Sequence, residues 1–193
     1  PEPDVAEPDI AALDRLLEQD GDIAAVICEP GGGHWGQFPL PNPGFLQDLR
    51  EVTAKHGVVM IMDEVICGFR LSSGGAQGRF GVKPDLTTMA KIVAGGLPGG
   101  AIAGKAEIMD HLGHEDAAMR ISHPGTFNAN PISAAAGAKA LELVATTPVN
   151  ATADAMAQKL KDGLNDLLAD MEVPGCCSGV ASMLHLRLGK AHE

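Results

Sequence analysis

The chain has 193 residues, enough for one sizeable domain or for one domain plus the start of another, and its 45% hydrophobic and 20% charged residues are those of a globular protein. With 25 Asp and Glu against 14 Lys and Arg, its net charge of −11 repels phosphate backbones and anionic headgroups, which argues against binding to nucleic acid or to a membrane surface. Cys28, Cys67, Cys176 and Cys177 lie in or beside apolar runs without disulfide-like spacing, no signal-like segment opens the chain, and no apolar run reaches the roughly 18 residues of a membrane span, so a reducing, cytoplasmic compartment is expected.

The chain opens at Pro1-Glu2-Pro3 without a Met and closes at Glu193 just after a strand-like run, and it is expected to be a piece of a longer protein. Between Pro8 and Asp20, Ile10, Leu13, Leu16 and Leu17 recur at helical spacing, and Asp20-Gly21-Asp22 stops the helix. Ile23 to Cys28 reads as a short buried strand, followed by a Gly/Pro-rich loop from Glu29 to Pro41. The next helix has Asn42 as N-cap, Pro43 in its first turn, Leu46, Leu49 and Val52 on one face, and Gly57 past its end. Val58 to Met62 is a second apolar strand. Two such strands around an amphipathic helix predict a βαβ unit in a parallel sheet, and hence an α/β fold.

Further along, Gly68 to Gly81 reads as a Gly-rich loop, Leu86 to Ala90 and Gly100 to Gly104 as strands, and Lys105 to Leu112 as a helix. Residues Asn128 to Ala145 are Ala-rich and helical in propensity, and Ala151 to Met171 gives a long helix with Met156, Leu160, Leu164 and Leu167 on one face. Met183 to Leu188 alternates as a strand of a second subdomain. The expected division is residues 1–145 and 146–193.

In open α/β sheets ligands bind beyond the carboxyl ends of the strands, which draws attention to Glu29, Asp63 and Lys91, each just after an apolar run. An isolated Lys among small and apolar residues is costly to bury unless paired, and a desolvated Lys is what imine chemistry requires. Glu64, beside Asp63, reads as a structural acceptor. Other features are bland. His34 and Trp35 fit loop packing as well as a pocket, and His111 and His114 lack a ligand set for metal. Cys176-Cys177 has no redox spacing, and the Gly-rich stretches at 31–36 and 95–100 lack the features of nucleotide loops.

The run Met62-Asp63-Glu64-Val65-Ile66-Cys67-Gly68-Phe69-Arg70, the stretch Gly74-Gly75-Ala76-Gln77-Gly78 leading to Pro84-Asp85-Leu86-Thr87-Thr88, and Lys91 placed 28 residues after Asp63 resemble the class III pyridoxal-phosphate aminotransferases. Glu29-Pro30 upstream and Gly125 to Pro131 downstream extend the likeness over nearly the whole chain. The resemblance implies a fold type I transferase: part of the large, cofactor-binding domain with a mainly parallel sheet over 1–145, then a connecting helix and the start of the small α+β domain. It implies pyridoxal 5′-phosphate held by Lys91 as a Schiff base, with Asp63 bonded to the ring nitrogen and Val65 against the ring face. Thr126 would donate to the phosphate across the interface of a homodimer with a shared active site. Ile66, with Gly-Phe-Arg after it and Gly-Gly-Ala-Gln beyond, is similar to glutamate-1-semialdehyde 2,1-aminomutases, which move an amino group within one substrate. Gly31 to Trp35, Cys67 and Phe127-Asn128-Ala129 depart from that pattern. Two other readings stay open: a transaminase with separate amine donor and keto-acid acceptor, and a catalytically inert piece of such an enzyme.

Overall fold

The computed structural model describes residues 9–31, 44–113 and 115–189. Helix α1 (Ile10–Gln19) starts where Asp9 accepts a bond from the Ala12 amide at 2.8 Å. Strand β1 (Ala25–Cys28) is shorter than expected and open on one face, with Ile27 60% exposed, rather than buried on both. Helix α2 (Phe45–Lys55) returns the chain to β2 (Val59–Glu64). The expected cap Asn42 and Pro43 lie outside the described residues, whereas Gly57 takes the left-handed conformation expected past the helix end, with φ of 69°. The buried face of α2 is Leu46, Leu49 and Thr53 rather than Val52. Thr53 is buried at no polar cost because its hydroxyl donates to the Leu49 carbonyl at 2.8 Å.

Residues 68–81, expected as loop, contain helix α3 (Gly75–Phe80), followed by β3 (Leu86–Ala90), a 3-10 turn at Lys91–Ala94 and β4 (Gly100–Gly104). The sheet order is β1-β2-β3-β4; the first three strands are parallel and β4 is antiparallel to β3, so the sheet is mainly parallel as expected. Its core is Met60 and Met62 of β2, both fully buried against Leu46, Leu49 and Val82. Short helix α4 (Ala106–Met109) continues as a 3-10 turn to Leu112.

Helix α5 (Pro131–Thr146) begins at Asn130, whose side chain accepts from the Ile132 and Ser133 amides. Helix α6 (Val149–Asp170) leads to a two-stranded antiparallel sheet of β5 (Gly175–Val180) and β6 (Met183–Leu188). The expected stripe on α6 is mostly turned outward: Met156, Leu160 and Leu167 are more than half exposed, Leu164 is half-buried, and Ala157 is the buried residue. The β5–β6 turn reaches back, with Met183 packing against Cys67, Leu71 and Ala76.

Candidate functional site

The end of β2 separates two adjacent carboxylates, because successive strand residues point to opposite faces. Glu64 is 1% exposed and accepts from the Ala76 amide at 2.7 Å and from Gln77 Nε2 at 3.1 Å, which caps the start of α3. This is the structural role expected of it. Asp63 points the other way and is half-buried. Its Oδ1 accepts from the Val65 amide at 3.0 Å and from Thr88 Oγ1 at 3.3 Å, and its Oδ2 accepts no bond among the described residues. The Thr88 contact follows from register, since Asp63 and Thr88 are paired across β2 and β3. Nothing in the sequence marks Thr88 as a partner of Asp63; only the strand register reveals it.

Lys91 follows directly on β3 and is exposed, with no hydrogen bond or ion pair from Nζ among the described residues. It is exposed rather than desolvated in this chain. Its φ of 53° lies in the left-handed region, a strain of about 1 kcal/mol that a non-glycine residue tolerates only where its surroundings impose it. Such strain is a recurrent mark of functional sites. Lys91 and Arg70 line one side of an open groove of about 640 Å³, with Ile92, Leu97, Pro98 and Ala140 around it. A second hollow of about 580 Å³, lined by Glu64, Thr87 and Met89, opens on the opposite face of the sheet and contains neither Asp63 nor Lys91.

Val65 is half-buried beside Asp63. Thr126 is exposed in the 126–129 turn and makes no hydrogen bond to Asp63, Val65 or Lys91 among the described residues. Glu29 directly follows β1 and is half-buried. The nearby thiols are held protonated. Burial, with a smaller push from Asp63, raises Cys28 to about 11; burial, with Glu64 and Glu29, raises Cys67 to about 12. Neither is therefore a thiolate nucleophile at neutral pH. His34 and Trp35 lie outside the described residues, as does His114, while His111 Nδ1 sits 2.9 Å from the Met119 carbonyl oxygen.

Asp63, with one carboxylate oxygen open, and Lys91, unpaired among the described residues, thus lie at the carboxyl ends of neighbouring strands of a mainly parallel sheet. The chain belongs to the class-III aminotransferases: the model of that family, Aminotransferase class-III, matches residues 2–192. Within it, the chain is 42% identical over 186 residues to a glutamate-1-semialdehyde 2,1-aminomutase of Methanococcoides burtonii, an alignment covering 96% of this chain and 43% of that protein. Among solved structures, it resembles an omega-transaminase from Sphaerobacter thermophilus, with a TM-score of 0.83 and 39% identity over 95% of this chain and 42% of that one. It also resembles a glutamate-1-semialdehyde-aminomutase from Pseudomonas aeruginosa PAO1 in complex with PMP, with a TM-score of 0.78 and 25% identity over 95% of this chain and 41% of that one. The chain thus spans 41 to 43% of the length of these relatives. Among the described residues, no helix is long and apolar enough to cross a membrane.

Proposed function

We propose that this chain carries the cofactor-anchoring half of a pyridoxal 5′-phosphate enzyme of the glutamate-1-semialdehyde 2,1-aminomutase type. The observation that carries this reading is the pair at the ends of β2 and β3: Asp63 with Oδ2 open, and Lys91 with an unpaired Nζ. The donor set fits the cofactor, which needs a carboxylate for its ring nitrogen and a primary amine for its aldehyde. When bound, pyridoxal 5′-phosphate supplies an electron sink that lets a proton leave the amine-bearing carbon. Asp63 Oδ2 would accept the ring N–H bond and favour the protonated ring, because an adjacent negative charge stabilises the cation. Lys91 Nζ would be the residue that anchors the cofactor's aldehyde, and it would be the base that moves the proton at the reacting carbon. Val65 would pack against the ring face.

Thr126 would donate to the phosphate across a homodimer interface. Its exposure, and that of Ile121, Phe127 and Ile132 around it, supports a partner on this face. Residues 1–145 then belong to the large domain, and 146–193 form the connecting helix and the start of the small one; the separate two-stranded β5–β6 sheet supports that division. The four free thiols support a reducing, cytoplasmic setting. The partner molecules are small amino and keto compounds, not nucleic acid or membrane.

The likeness to an omega-transaminase favours a second reading, transfer between separate donor and acceptor. Incubating the whole enzyme with glutamate-1-semialdehyde alone separates the two. Release of 5-aminolevulinate without an added amine supports the aminomutase, whereas turnover only with a separate donor and keto acid assigns the transaminase.

A further inference from the structure

Lys91 holds a left-handed backbone at the head of a four-residue 3-10 turn, a conformation that so short a segment does not impose on itself. The element packed most extensively on that turn is α5. Its inward face is Ser133, Ala136, Gly137 and Ala140, and Gly137 is buried. A Cβ at Gly137 would overlap the Val93 carbonyl oxygen and come within 3.4 Å of the Ala94 Cα. From the other side, Gly95 is left-handed at φ of 62°, and a Cβ there would overlap the Ala136 backbone and meet its Cβ at 2.9 Å. Ser133 Oγ donates to the Pro98 carbonyl at 2.7 Å, hooking the end of the same loop to the first turns of the helix.

We infer that Gly137 is a positioning residue for Lys91: its missing side chain lets α5 close on residues 93–99 and fix the turn that presents Nζ at the sheet edge. The inference rests on the reading of Lys91 as the cofactor's anchor. It assigns to α5 a task separate from stabilising the fold. The helix sets the direction from which the amine meets the aldehyde, and small displacements of a reacting group are costly in rate.

A matched pair of helical glycines tests it. Gly163 on α6 has open space for 4 Å around the point a Cβ would occupy, so Gly163→Ala controls for helix propensity alone, whereas Gly137→Ala forces the helix off the lysine turn. Each full chain is mixed with pyridoxal 5′-phosphate well below its melting temperature. Lys91 Nζ condenses with the aldehyde with loss of water, borohydride delivers hydride to fix the adduct, and peptide mapping gives the rate at Lys91. Gly137→Ala is expected to slow that rate about tenfold and to move the Lys91 Cα chemical shift, measured without cofactor, away from its left-handed value, while Gly163→Ala changes neither. If Gly137→Ala does not fold, Ser133→Ala, which removes only the hook to Pro98, is expected to slow trapping severalfold. An unchanged Lys91 rate and shift in the folded Gly137→Ala chain, or in Ser133→Ala where that variant stands in, overturns the inference alone. Absence of a Lys91 adduct in the unsubstituted chain overturns the anchor reading and the inference with it.

Discussion

Two aspartates show how partner sets divide labour between residues. Asp85 is 6% exposed at its side chain and takes bonds from Arg50 at 2.7 Å, Lys105 at 2.8 Å and the Met60 amide at 2.7 Å. Burial alone would raise its pKa, but the bonds from Lys105, Met60 and Arg50 outweigh that and hold it at about 2. Asp63, by contrast, keeps one carboxylate oxygen without a hydrogen bond among the described residues. A carboxylate whose pKa is lowered by folding adds stability that is complete above its unfolded value of 3.8 and is lost as pH falls toward about 2. That contribution is about 2 kcal/mol, so urea melts between pH 5 and pH 2 should show a loss of this size, and Asp85→Asn should remove most of the slope. For the site itself, Lys91→Ala in the whole enzyme should abolish amino transfer. Asp63→Asn should keep the fold and lose about three orders of magnitude in rate, which steady-state kinetics would read directly. Asp63, Val65, Lys91 and Thr126 are legible in the sequence as candidates because a motif names them one by one; Thr88 and the Asp85 cluster are not, because their contacts exist only between elements.

At the scale of elements, periodic segments are legible and context-made ones are not. The strand at 86–90 and the long helices near 131–146 and 149–170 carry their own apolar spacing or propensity. Helix α3 does not: Glu64, a residue 12 positions before Ala76, supplies the acceptor that starts it. Strand β5, Gly175–Val180, has little alternation and exists by pairing with β6 and by its link to α6. That link is Asn165, which donates to the Cys177 carbonyl at 3.0 Å and accepts from the Cys177 amide at 2.7 Å. Removing both bonds leaves backbone groups of β5 without their partners, so Asn165→Ala should cost about 1–3 kcal/mol in thermal or urea melts. Amide exchange confined to 175–180 should accelerate in the same variant, while β1 to β4 stay protected.

At the scale of the molecule, the α/β class and the parallel βαβ unit follow from two apolar strands around an amphipathic helix, but the direction of β4 does not, since alternation within a strand carries no sign of its neighbour's direction. The outward stripe of α6 escapes the sequence for a related reason: spacing identifies an apolar face without saying what covers it. Ile27, Phe127, Ile132, Met156, Leu160, Leu167 and Leu188 are each more than half exposed. Studied alone, the chain should self-associate and bind a hydrophobic dye; a monodisperse monomer with a sharp cooperative melt would contradict this. The proposed role of the ends of β2 and β3 is to hold an aldehyde cofactor. Its most direct test is to mix the chain with pyridoxal 5′-phosphate, reduce with borohydride in the presence of free phosphate to suppress surface labelling, and map the modified residues by mass spectrometry. Modification concentrated at Lys91 is expected, and modification spread over the surface lysines with Lys91 unmarked would rule that role out.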